Sequence, residues 1–201
     1  DTPAPQNEMS VMNPRSPYAA AKKYAYDMVR IYREAYGIFA CNGVMFNHES
    51  PYRGEEFVTR KIAISIGKIK RGELDCLYLG NLDAKRDWSH AEDIVEAAWM
   101  MMQQDKAEDL ILSSGSSYTV RDFATAAFRL AGIKLIWEGK GAQERGKDED
   151  GVIRVAIDPQ FYRPLEVEEL QGDSSKARAL LNWQPKKNFQ DIVREMVEAD
   201  G

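Results

Sequence analysis

Ser16-Pro17-Tyr18-Ala19-Ala20-Ala21-Lys22 opens the segment that decides the fold. A serine oxygen can cap free N–H groups, and the proline ring after it is already set to helical φ, so the pair predicts a helix start. The helical pattern continues to Tyr36, and Gly37 stands where a left-handed C-terminal cap is expected. Residues 38–46 then form a nearly unbroken apolar run of strand length. That is the pattern of a strand buried on both faces of a parallel sheet. A helix leading into such a strand is the grammar of doubly wound α/β folds, whose ligands gather at the carboxyl ends of strands. At that place stands a polar stretch, Asn47-His48-Glu49-Ser50-Pro51-Tyr52-Arg53-Gly54-Glu55.

Tyr18 and Lys22 are four apart, hence one turn from each other on the same side of the helix. A free phenol titrates near 10, too high for a base at neutral pH, and an ammonium one turn away favours its ionised form. With nine tyrosines and thirteen lysines in 201 residues, chance supplies about half of one such pair, so the setting has to decide. The same helix carries a polar stripe (Lys23, Asp27, Arg30, Glu34) and two apolar ones: Tyr24, Met28, Ile31, Ala35 and Ala25, Val29, Tyr32, Tyr36. A surface helix needs one apolar stripe. Two predict burial against its own sheet and, on the other side, against a neighbouring subunit or further parts of its own chain.

Composition narrows the function classes. Hydrophobic residues make up 44% and charged residues 29%, ordinary for a soluble globular protein, and the net charge of −5 argues against a general nucleic-acid binder. Cys41 and Cys76 lack metal-ligand spacing and read as buried free thiols of a reducing compartment. With two histidines and no Cys/His cluster, no metal site is expected. No apolar run approaches membrane-spanning length and no secretory signal is present, so a cytoplasmic protein is expected.

Further along, a helix is predicted over 57–70 with Ile62, Ile66 and Ile69 on one face. Arg60 and Lys61 near its start oppose the helix dipole, which an anion beside them would offset. A short strand at 77–79, a helix over 91–103, a strand at 110–112, a helix over 120–131 and a strand at 135–137 follow. Residues 139–151 read as a mobile charged loop, 152–157 as a strand. A short helix capped by Asp173-Ser174-Ser175 ends at Leu181, and an amphipathic helix starts near Phe189.

Several blocks resemble one family. Tyr18-Ala19-Ala20-Ala21-Lys22 is similar to the Tyr-x-x-x-Lys signature of the extended short-chain dehydrogenase/reductases. Phe46-Asn47-His48-Glu49-Ser50-Pro51, Phe57-Val58-Thr59-Arg60-Lys61-Ile62, Lys85-Arg86-Asp87-Trp88, Tyr162-Arg163-Pro164 and Leu170-Gln171-Gly172-Asp173 resemble the GDP-mannose 4,6-dehydratases within that superfamily. The resemblance implies NADP as cofactor and GDP-mannose as substrate. It also implies a cycle of C4 oxidation, loss of water across C5–C6 and hydride return to C6, giving GDP-4-keto-6-deoxymannose. Tyr18 would be the base and Lys22 its partner on the nicotinamide ribose, with His48 and Arg53 as further cofactor contacts. Asn47, Val58, Lys61, Arg86, Arg163 and Glu166 would face the sugar nucleotide. A homodimer or homotetramer is implied.

Each residue also has a plainer role: His48 as a loop histidine bonded to backbone, Lys61 on the wet side of its helix, Arg163 as a turn residue. Arg86-Asp87 would then be a surface ion pair worth under ~1 kcal/mol. Tyr52 stands where the family often has a second arginine. The glycine-rich phosphate loop of dinucleotide folds, and the strand that should precede it, are not found. The expectation is therefore the C-terminal part of a Rossmann-like fold plus a smaller mixed α/β substrate domain. Residues 1–56 would belong to the dinucleotide side and 57–201 mainly to the substrate domain, with 76–103 returning to the Rossmann-like core. The alternatives are a non-catalytic sugar-nucleotide-binding or assembly fragment, or a related nucleotide-sugar epimerase or reductase.

Overall fold

The Ser-Pro signal produces helix α1 over Pro17–Tyr36 in the structure, a computed structural model that describes residues 2–162 and 165–200. Ser16 accepts a hydrogen bond from the Ala19 N–H at 3.1 Å. At the other end Gly37 adopts φ 64°, a left-handed conformation that glycine takes without strain, and its N–H closes on the Arg33 carbonyl. The strand that follows is shorter than the apolar run suggests. Only Gly43–Met45 forms β1, and it pairs in parallel with β5, Leu110–Leu112. Burial on both faces is not met in this chain: β1 has one partner strand, and Ile38, Phe39 and Met45 stay 43–46% exposed.

Among the described residues the chain forms two compact units, one from 2–48, 85–117 and 165–188, the other from 49–84, 118–162 and 189–200. The first holds α1, β1 and β5. It also holds the start of β2 (Asn47–Glu49), then β4 (Lys85–His90), α3 (Ala91–Met101), β10 (Glu169–Leu170) and α5 (Ser175–Leu181). Strands β10, β4 and β2 belong to a second, four-stranded sheet, in which β10 is parallel to β4 and β6 (Ser117–Thr119) also pairs with β4. The core of this unit joins Ile94, Ala97 and Met101 of α3 to Leu110 and Leu112 of β5, and to Ala177, Leu181 and Trp183. Cys41 packs on its edge as a half-buried free thiol, and Cys76 is likewise half-buried rather than buried.

The second unit packs α2 (Val58–Lys70), α4 (Val120–Leu130) and α6 (Phe189–Glu198) beside a four-stranded sheet ordered β3-β9-β8-β7. These strands are Leu77–Leu79, Ile153–Ile157, Arg145–Lys147 and Ile136–Glu138. The isoleucines predicted to face the core, Ile62, Ile66 and Ile69, are all buried. The segment 139–151 is not the mobile loop that its charges suggest. It makes one 3-10 turn and then β8, antiparallel to both β7 and β9. Three of its charges are paired: Arg121 grips Glu144 through Nε and Nη2 at 2.8 and 2.9 Å, Lys147 meets Glu138 at 2.6 Å and Arg154 meets Asp148 at 2.7 Å.

Helix α1 contains no buried residue, and neither of its apolar stripes is covered in this chain: Tyr24 is 68% and Tyr36 72% exposed. Its anchor is ionic. Arg33 donates to both carboxylate oxygens of Asp109 at 2.7 and 3.0 Å and to the Ala40 carbonyl at 2.9 Å. Burial pushes the Asp109 carboxyl up, but the hydrogen bonds from Arg33 and the Asn42 N–H outweigh it and hold the group below its ordinary 3.8. A carboxyl lowered on folding contributes stability above its unfolded value and loses it as pH falls through the folded one. Asp109→Asn should therefore cost about 3 kcal/mol at neutral pH. It should also flatten the loss of stability below the ordinary carboxylate range, and denaturant titrations at several pH values measure both effects.

Candidate functional site

Tyr18 lies in the first turn of α1 and is 72% exposed. The cap before it fixes the direction in which the helix starts, so Lys22 follows one turn on, with its Nζ 5.6 Å from the centroid of the Tyr18 ring. The helix thus brings together the phenol and the ammonium singled out by spacing, both open to a ligand.

Asn47 and His48 are half-buried on β2. The Nδ1 of His48 lies 3.0 Å from the Phe46 carbonyl, which can only accept. Nδ1 is therefore the donor in that contact, and Nε2 is left to other partners. The plain backbone-bonded role is real here and orients the ring.

Arg86 and Glu166 meet on the same sheet. Arg86 sits on β4 and donates to the carbonyls of Lys85 and Val167 at 2.8 Å each, and its Nη2 is paired with the Glu166 carboxylate. The neighbouring Asp87 does not pair with Arg86 as a surface residue would. It is fully buried, and its Oδ1 accepts from the Ser114 N–H and hydroxyl at 2.9 and 2.6 Å. Its Oδ2 accepts from the N–H groups of Gly115 and Gly172 at 2.9 and 3.1 Å. Burial pushes the Asp87 carboxyl up, opposed by those four donors. The sequence offered no sign of this role beyond the alternation of a strand, which points Asp87 to the side opposite Arg86.

In the second unit Val58 begins α2, half-buried. Arg60, which the dipole leaves without a motive at the helix start, is answered within the chain by Asp200. Lys61 has a different neighbour: its Nζ stands 3.5 Å from the centroid of the Phe161 ring. Burial pushes the Lys61 ammonium down, partly opposed by the charge of Asp158. Arg53 lies against Phe57, its guanidinium carbon 3.5 Å from that ring centroid, with Nε 3.3 Å from the buried Glu49. Glu49 was not among the residues expected from sequence. Burial pushes its carboxyl up, against a 2.6 Å hydrogen bond from the Thr59 hydroxyl and the charge of Arg53. Arg163 lies outside the described residues.

Among the described residues no group of three or more His, Cys, Asp or Glu could hold a metal ion, and no helix is long and apolar enough to cross a membrane. The donors present are a phenol and an ammonium on one helix, an oriented imidazole and a guanidinium. Groups of these kinds can meet hydroxyls and phosphates.

Residues 1–196 match the family model described as GDP-mannose 4,6 dehydratase. The chain is 54% identical to the GDP-mannose 4,6 dehydratase of Cricetulus griseus and 53% identical to that of Homo sapiens. Each alignment covers 98% of this chain and 53% of the relative, so the chain spans about half the length of the curated relatives it matches. Among solved structures, RMD from Pseudomonas aeruginosa complexed with NADPH is similar with a TM-score of 0.81 at 20% identity, over 98% of this chain and 59% of that one. At that identity the likeness shows the fold, a Rossmann-like α/β architecture.

The buried carboxylate gives a direct test. Asp87→Asn keeps the volume but turns an –NH2 toward backbone N–H groups, leaving donors unpaired. It should cost about 2–3 kcal/mol, read as a lower midpoint in chemical denaturation.

Proposed function

This chain belongs to the GDP-mannose 4,6 dehydratase family, and we propose that the intact protein converts GDP-mannose to GDP-4-keto-6-deoxymannose with NADP as its cofactor. The observation that carries this reading is the family match over residues 1–196, which takes in the Tyr18–Lys22 pair and the blocks around Asn47, Lys61 and Arg86. The proposal is for the whole protein, of whose relatives' length this chain spans about half.

A nicotinamide held by these residues would supply the hydride chemistry, oxidation at sugar C4 and reduction at C6. Tyr18 takes the proton from O4 as that hydride leaves, a role that demands an exposed oxygen at the reacting carbon. Lys22 holds the nicotinamide ribose and keeps a positive charge beside the phenol. His48 offers Nε2, and Arg53 its guanidinium, to the rest of the dinucleotide. Asn47, Val58, Lys61, Arg86, Arg163 and Glu166 are assigned to GDP-mannose, where cationic donors match the diphosphate. On this reading residues 1–56 belong to the dinucleotide side and 57–201 mainly to the substrate side, with 76–103 returning to the Rossmann-like core. The exposed Tyr24, Ile31, Tyr32 and Tyr36 of α1 support assembly as a homodimer or homotetramer.

Tyr18→Phe removes only the ionisable oxygen. In the intact protein it should lower kcat by about 10²–10⁴-fold while the GDP-mannose Kd from calorimetry stays unchanged. Near-normal turnover would remove Tyr18 from the role of base.

A further inference from the structure

The last residue of β2, where the loop to α2 begins, is a buried carboxylate to which the proposed chemistry gives no part. Glu49 is 1% exposed. Thr59, in the first turn of α2, donates its hydroxyl to Glu49 Oε2 at 2.6 Å, and Arg53 Nε lies 3.3 Å from the same oxygen. The face of the guanidinium is covered as well, with the Phe57 ring centroid 3.5 Å from its carbon. Two turns close the loop around these side chains: Arg53 N–H donates to the Ser50 carbonyl at 3.0 Å and Phe57 N–H to the Gly54 carbonyl at 3.1 Å.

A carboxylate taken out of water costs several kcal/mol unless it is paired. A single hydroxyl donor is a thin return for that cost, so the ion pair with Arg53 has to carry the rest. What the loop gains is a fixed arginine. Its Nε faces Glu49 at ion-pair distance without a formed hydrogen bond and its flat side rests on Phe57, while its two Nη groups meet no acceptor among the described residues. An arginine fork binds phosphate oxygens in a bidentate manner, and a side chain already ordered loses less entropy on binding.

We propose that Glu49 is a positioning residue that, together with Phe57, presents the Nη fork of Arg53 to a phosphate of the nicotinamide dinucleotide. The proposal rests on the reading of Arg53 as a cofactor contact. It differs from a role in folding alone, because its effect passes through the Arg53 side chain.

A double-mutant cycle separates the two. In the intact protein, Glu49→Gln keeps the acceptor for Thr59 but loses the charge. It should raise the Kd for NADPH, followed by fluorescence titration, about fivefold to tenfold, with the calorimetric Kd for GDP-mannose unchanged. On an Arg53→Ala background Glu49→Gln should add nothing. Phe57→Leu, at a position 39% exposed, is a second variant that tolerates any folding defect of the first. It should weaken NADPH binding only while Arg53 is present. Equal losses with and without Arg53 would mean a folding role and overturn the proposal. So would NADPH binding that survives Glu49→Gln and Phe57→Leu but is weakened by Arg53→Ala. If Arg53→Ala itself leaves the NADPH affinity unchanged, the cofactor reading of Arg53 fails first and the positioning role falls with it.

Discussion

The first unit depends on a carboxylate that water does not reach. Burying the Asp87 charge is costly, and only because four donors converge on it does the folded state tolerate it. Those donors come from Ser114 and Gly115, just beyond β5, and from Gly172, just beyond β10, so one side chain of β4 gathers the ends of two other strands. Gly172 is required there by space: an added Cβ would lie 2.5 Å from the Ser113 hydroxyl oxygen. With Gly172 held, β10 runs parallel beside Lys85 and Arg86, and Glu166 arrives where Arg86 can pair with it. The inner side of β4 therefore sets the geometry of its outer side.

Helix α1 shows the opposite economy. Nothing on it is buried, so its form comes from short-range chemistry: the Ser16 cap, Pro17, the alanines after Tyr18 and the left-handed Gly37. Its placement comes mainly from the bidentate ion pair between Arg33 and Asp109, with the Asn42 side chain also donating to the Tyr26 carbonyl. For Tyr18 and Lys22 the consequence is useful. The pair is spaced by the helix itself, and burial of neighbouring side chains has no part in it.

That contrast explains which features could be read from the sequence. Helices with local caps and clear apolar faces, such as α1 and the Ile62–Ile66–Ile69 face of α2, follow from signals within a few residues. Strand β8 does not, because 139–151 is ordered by partners far along the chain: Arg121 for Glu144, and Trp137 beneath Gly146. The return of 165–188 to the first unit is equally silent, since Gly172 reads as a turn until Asp87 is seen beside it. Of the candidate residues, Tyr18 and Lys22 stood out through helical spacing, Lys61 through a cation placed against the helix dipole, and Arg53 only through resemblance. Asp87 and Glu49 were hidden, because a carboxylate in a polar stretch looks solvated until its burial is known.

The cations marked out by the sequence differ in what charge they keep. Arg60 and Arg86 each meet a carboxylate, Asp200 and Glu166, so each arrives close to neutral as a pair. An anionic ligand approaching Arg86 must compete with Glu166 or bind the pair through other groups, such as sugar hydroxyls, which can donate to Glu166 while Arg86 remains held. Lys61 rests on the face of Phe161, and a ring attracts a cation through its quadrupole without cancelling the charge. Burial already works against the ammonium there, so an anion would relieve a cost that the charge of Asp158 only partly offsets. If these residues meet a nucleotide sugar as proposed, Lys61 is better suited to a phosphate than Arg60 is, and the Arg86–Glu166 pair to the neutral part of that ligand.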